Sequence, residues 1–193
     1  TQIEAIQSVR NLEEVLVIGR DPDKVQSFCE QFETKVAPGQ IDDLKKADII
    51  CTATSSSEPL FDFANISKGT HINAVGAHGQ TKRELPTELI QSAKVYVDSL
   101  SSSQVEAGNL LIPIERGEYE WNLVEGEIWS FIESNTKISD HESNITVFSS
   151  VGSAAQDLVI AVMVMESGKE WKHKEQYYCW MMAEFLGESR LAI

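Results

Sequence analysis

The chain has 193 residues, and 16 Lys+Arg against 30 Asp+Glu give it a formal net charge of −14. That length fits one domain, or one domain with a tail, and 42% hydrophobic with 24% charged residues argues against wholesale disorder. The acid excess speaks against nucleic acid as a partner, since such a binder needs a basic surface, and no apolar run reaches the roughly 18–20 residues of a membrane span.

The first hundred residues alternate strand-like and helix-like patterns. Val15-Leu16-Val17-Ile18-Gly19 is an apolar run ending in glycine, the pattern of a strand buried on both faces. Asp21-Pro22-Asp23 reads as N-cap, first-turn proline and acidic first turn, and the helix after it places Val25, Phe28, Cys29 and Phe32 on one face. Lys35 to Ala37 is a short strand, Ile41 to Lys46 a short helix, and Ala47 to Ala53 another strand with the polar Ser55-Ser56-Ser57 beyond it. Thr70 to Gly76 and Ala93 to Asp98 repeat the strand pattern around a short helix at Pro86 to Gln91. Recurrent strands with helical crossovers predict an α/β fold, a doubly wound and mostly parallel sheet. Ligands of such sheets sit beyond the carboxyl ends of the strands, at Gly19-Arg20, Thr52-Ala53-Thr54 and Val75-Gly76-Ala77-His78.

From Ser101 the reading is mostly helical, through Val105 to Gly108 and Val124 to Ile132. A strand at Ile145 to Phe148, a turn at Ser149 to Gly152 and a helix from Ser153 to Glu166 follow. The tail, residues 167–193, carries Trp171, Tyr177, Tyr178, Trp180 and Phe185 at a spacing that predicts a helix with an aromatic stripe. Cys29, Cys51 and Cys179 are odd in number, widely spaced and without C-x-x-C. No disulfide framework or zinc site is expected, and a reducing, cytoplasmic setting is the default.

Several stretches, in order, resemble the ornithine cyclodeaminase/mu-crystallin family of NAD(P)-linked proteins. They include Gln2 to Ile6, Val15 to Lys24, Ala47 to Thr54, His71 to Ala77, Lys82-Arg83-Glu84-Leu85, Val97-Asp98-Ser99, Glu106 to Leu110, and Ile145 through Leu158. The resemblance implies an NAD(P)-binding Rossmann-like domain over residues 1–166, with the tail unassigned. It also implies that Gln2 to Arg10 is the helix after the phosphate-binding turn. The first Rossmann strand, the turn glycines and the basic substrate residues would then precede Thr1, and the sheet would lack its central strand, with two open edges. On that view the sequence is the C-terminal part of a longer, homodimeric protein. The other reading takes Val15 to Gly19 as strand one of a flavodoxin-like sheet, but one glycine stands there where a dinucleotide turn wants three.

By resemblance Thr52, Ile72, Asn73, Ala74, Val75 and Lys82 line the cofactor, while Val151 and Gly152 face nicotinamide and substrate. Arg20 follows the strand resembling Rossmann strand two, where an Arg suits a 2′-phosphate, so NADP is favoured over NAD while Asp21 keeps NAD open. The cyclodeaminase branch carries a proton-handling carboxylate in a Gly-Asp-x-Pro-Gly-Lys pattern. Here the segment is Ala77-His78-Gly79-Gln80-Thr81-Lys82, and an imidazole at His78 is suited to protonating an imine nitrogen as hydride arrives at carbon. The implied activity is hydride exchange at the α-carbon of a small amino or imino acid. An imine reductase or amino-acid dehydrogenase is favoured over a cyclodeaminase-type lyase. A scaffold that binds without catalysing, or an inactive fragment, is the rival. His71 begins a strand and reads as structural, His141 and His173 have no partner at metal-ligand spacing, and no metal is expected.

Overall fold

The computed structural model describes residues 2–32, 35–134, 143–152, 158, 161–162 and 189–192. Helix α1 (Gln2–Gln7) leads into β1 (Leu12–Val17), α2 (Pro22–Cys29) and β2 (Val36–Pro38). A 3-10 turn at Ile41–Lys46 precedes β3 (Ile49–Thr52), followed by β4 (His71–Ala74), α3 (Thr87–Ser92) and β5 (Lys94–Val97). Helices α4 (Leu100–Glu106) and α5 (Gly108–Glu115), strand β6 (Val124–Glu127), α6 (Ile128–Glu133), β7 (Thr146–Ser149) and β8 (Ser189–Ala192) complete the order. Every strand pairing is parallel, in one sheet of order β2-β1-β8-β3-β4-β7-β5-β6.

Side chains alternate between two covered faces, which is why the central strands read as unbroken apolar runs. On one face Ile3 and Ile6 of α1 pack on Val15, Ile49 and Cys51, Val25 and Cys29 of α2 on Val17, and Ile128 of α6 on Tyr96 and Phe148. On the other, Leu44, Leu89, Ile90 and Leu110 pack on Ile50, Ile72, Val95 and Val147. The start of α2 forms as its sequence dictates. Pro22 opens the helix, and the Asp21 carboxylate accepts from the backbone N–H groups of Asp23 (3.1 Å) and Lys24 (3.3 Å).

Three differences from the sequence reading matter. Val124–Glu127 is an edge strand rather than the start of a helix. Its burial alternates residue by residue, the period of a strand, and it pairs with β5. The expected gap beside β1 is filled. Strand β8 lies between β1 and β3, with Leu16 opposite Ala192 on one side and Ile49 opposite Leu191 on the other. Backbone N–H and C=O groups along β1 and β3 require partners, and residues 189–192 supply them. The third difference concerns the tail, where residues 189–192 are strand rather than helix. Its aromatic segment at 171–185 lies outside the described residues, as does the expected helix from Ser153 to Glu166 apart from the helical positions 158, 161 and 162.

Candidate functional site

From β8 the sheet runs outward in both directions, to β1 and β2 on one side and to β3 and β4 on the other. The loops after β1 and β3 therefore leave in opposite directions, and a crevice opens between them at the carboxyl ends of the strands. That crevice is a cleft of about 1850 Å³. Its walls are Ile18-Gly19-Arg20 after β1, Thr52 to Ser57 ending and following β3, Val75 and His78 after β4, and Ser150-Val151-Gly152 after β7. Gln2 and Ile3 at the start of α1 also reach it.

Seven of the ten residues singled out from sequence stand on this cleft: Arg20, Thr52, Asn73, Val75, His78, Val151 and Gly152. Ile72 and Ala74 do not, being packed in the core between β3 and β7, 0% and 1% exposed. Lys82 also lies off the cleft wall, its ammonium donating to Ser57 Oγ at 3.3 Å. Among the described residues that line the cleft, Arg20 is the cation. Its neighbour Asp21 is committed as the cap of α2 and stands 3.7 Å from the Lys24 ammonium.

The loops after β3 and β4 are pressed together. A Cβ on Gly76 would run into the backbone of Thr54, so this approach requires glycine. Two carboxylates that the sequence reading left without a site role hold the walls. Glu84, fully buried, accepts from Thr54 N–H (2.6 Å), Thr52 Oγ1 (2.9 Å), and the N–H groups of Gly76 and Ala77 (both 3.1 Å). Asp98 accepts from Ser150 Oγ (2.8 Å), Val151 N–H (3.0 Å) and Gly152 N–H (2.7 Å), while Ser99 caps α4. Local sequence held only a weak signal for either: an Asp ending a strand, and a Glu within a family-like stretch.

His78 is exposed at the cleft mouth, with Nε2 3.4 Å from Glu106 Oε2. His71 is buried, its Nδ1 2.7 Å from Thr146 Oγ1 and its Nε2 3.0 Å from Asn73 Oδ1, and burial pulls its pKa down to about 4. Among the described residues no cluster of His, Cys, Asp or Glu is arranged to hold a metal. The cleft does suit a dinucleotide. Its strand ends are small or neutral, a guanidinium stands at one end, and Gly152 (φ +79) leaves open space where a side chain would project.

Fold and cleft together define a doubly wound α/β domain of the dinucleotide-binding class. The chain belongs to the ornithine cyclodeaminase/mu-crystallin family, whose family model matches residues 1–172. It is 34% identical to Delta(1)-pyrroline-2-carboxylate reductase of Colwellia psychrerythraea, over 85% of this chain and 54% of that protein. It is 30% identical to alanine dehydrogenase of Archaeoglobus fulgidus, over 86% of this chain and 52% of that one. The chain thus spans about half the length of the curated relatives it matches. Among solved structures, Thermococcus litoralis Delta(1)-pyrroline-2-carboxylate reductase in complex with NADH and L-proline superposes with a TM-score of 0.78 at 31% identity, covering 86% of this chain and 55% of that one. An archaeal alanine dehydrogenase dimer with bound NAD gives 0.78 at 25% identity, over 97% and 55%.

Proposed function

We propose that this chain is the NAD(P)-binding domain of a reductase that exchanges hydride at the α-carbon of a small imino or amino acid, of the pyrroline-2-carboxylate reductase type. The observation that carries the reading is the cleft across the strand switch, walled by the strand ends where cofactor and substrate are expected. When bound, the nicotinamide supplies or accepts the hydride. Arg20 binds the 2′-phosphate of NADP, since Asp21 is engaged as a helix cap and is not free to take ribose hydroxyls. Thr52, Asn73 and Val75 let the dinucleotide lie close to the strand ends, and Val151-Gly152 bounds the nicotinamide side. His78 gives its proton to the imine nitrogen as hydride reaches the carbon, so C=N becomes CH–NH. Glu106 Oε2, 3.4 Å from Nε2, orients the ring. We read the whole protein as a cytoplasmic homodimer, the dimer supported by the dimeric archaeal alanine dehydrogenase and the location by three widely spaced cysteines without C-x-x-C.

Titration calorimetry of the whole gene product with NADH and NADPH, followed by NADPH oxidation with Δ1-pyrroline-2-carboxylate, tests the reading. Tighter binding of NADPH and turnover of the cyclic imine are expected. Failure to bind either nucleotide would overturn it.

A further inference from the structure

We propose that Glu84 and Asp98 are the positioning residues of the cleft, each a buried carboxylate gathering the loops of one wall. The inference rests on the dinucleotide reading of the same cleft. Glu84 is 0% exposed and Asp98 2%, and every hydrogen bond described above to their carboxylates comes from a backbone N–H or a hydroxyl, never from a cationic side chain. A carboxylate is costly to bury, and neutral donors offset that cost only by converging on it in numbers. Each anion is therefore a template that requires its loops to point their donors inward. Packing alone would be satisfied by an apolar side chain.

The geometry assigns a wall to each. Glu84 joins the end of β3 to the loop after β4, and its own backbone is anchored from α5. The N–H groups of Glu84 and Leu85 donate to Asn109 Oδ1 at 2.8 and 3.2 Å. Asp98, at the end of β5, draws in the turn after β7. Thr52 and Thr54 on one side, and Ser150, Val151 and Gly152 on the other, are cleft-lining residues. A site that must hold a reacting ring to a fraction of an ångström needs such support behind its walls.

The test is E84Q and D98N, made separately in the whole gene product. Each substitution is near-isosteric and replaces an acceptor oxygen with an N–H₂ donor. Three donors converge on Glu84 Oε2 and the Thr54 N–H on Oε1, so a glutamine in either orientation sets its N–H₂ against at least one donor. In E84Q, amide hydrogen exchange is expected to accelerate about tenfold or more at Thr54 or at Gly76 and Ala77, and in D98N at Ser99 or at Val151 and Gly152, according to which oxygen the amide nitrogen replaces. The core amides of Leu89 and Val95 should stay protected. NADPH affinity should fall about tenfold in each variant, and E84D should recover part of it where E84Q folds poorly. Unchanged exchange at those amides, or acceleration across the whole domain with nucleotide affinity intact, would overturn the proposal. A wild type that binds neither nucleotide would instead sink the dinucleotide reading, while the exchange pattern still decides whether the two carboxylates hold the walls.

Discussion

His71 shows how one buried side chain ties stability to pH. The Asn73 amide directs its nitrogen to Cys51 Sγ and its oxygen to His71, so Nε2 carries the imidazole hydrogen and Nδ1 accepts from the Thr146 hydroxyl. With its pKa lowered from 6.5 to about 4, His71 stays neutral in the fold and takes its proton first in the unfolded chain. Its contribution is complete above pH 6.5 and is lost as pH falls from there toward 4, about 2–3 kcal/mol between pH 7 and 4.5. Urea unfolding at those two pH values should show this loss, and H71Q should flatten the slope by that amount. At the cleft, H78Q should lower imine reduction about 100-fold while leaving NADPH affinity unchanged in calorimetry. R20A should weaken NADPH about tenfold and NADH little, because only the former offers a 2′-phosphate to the guanidinium. Equal effects on both nucleotides would remove Arg20 from the phosphate role.

Among the elements, α2 and the loop after β4 respond to different physics. The cap on α2 is local, two backbone donors closing on Asp21, so D21A should cost about 1 kcal/mol in denaturant unfolding without altering the cleft. Gly76 is constrained from a distance. The atoms that an added methyl would meet are the backbone of Thr54, itself held by Glu84, and cannot swing aside as a flexible side chain would. G76A should therefore cost about 1–3 kcal/mol and weaken nucleotide binding as well. The cap could be read from Asp21-Pro22-Asp23. The close approach at Gly76 could not, because its partner lies 22 residues back in the chain.

For the molecule as a whole, the position of β8 decides whether the sheet is continuous. Removing residues 189–193 would expose the paired edges of β1 and β3 on either side of the cleft. Hydrogen exchange should then accelerate at 12–17 and 49–52, and size-exclusion chromatography should reveal self-association. Unchanged exchange in both strands would show that the sheet does not depend on β8. No helix among the described residues is long and apolar enough to cross a membrane.

Local patterning was enough for the parallel α/β class, most strands to within a residue or two, the Asp21 cap and the strand-end segments that line the cleft. Each depends on neighbours within a turn or a strand. Three things came only with the tertiary structure. Asn73 on β4 and Val75 just after it stand on the cleft, while Ile72 and Ala74 between and beside them are core. Residues 189–192 pair with strands more than a hundred residues earlier. Glu84 and Asp98, on the page two ordinary acids among thirty, became the anions inside the cleft walls. Strand faces, distant pairings and the convergence of donors on a buried charge arise only when the whole chain packs, since none of them is a property of a short window of sequence.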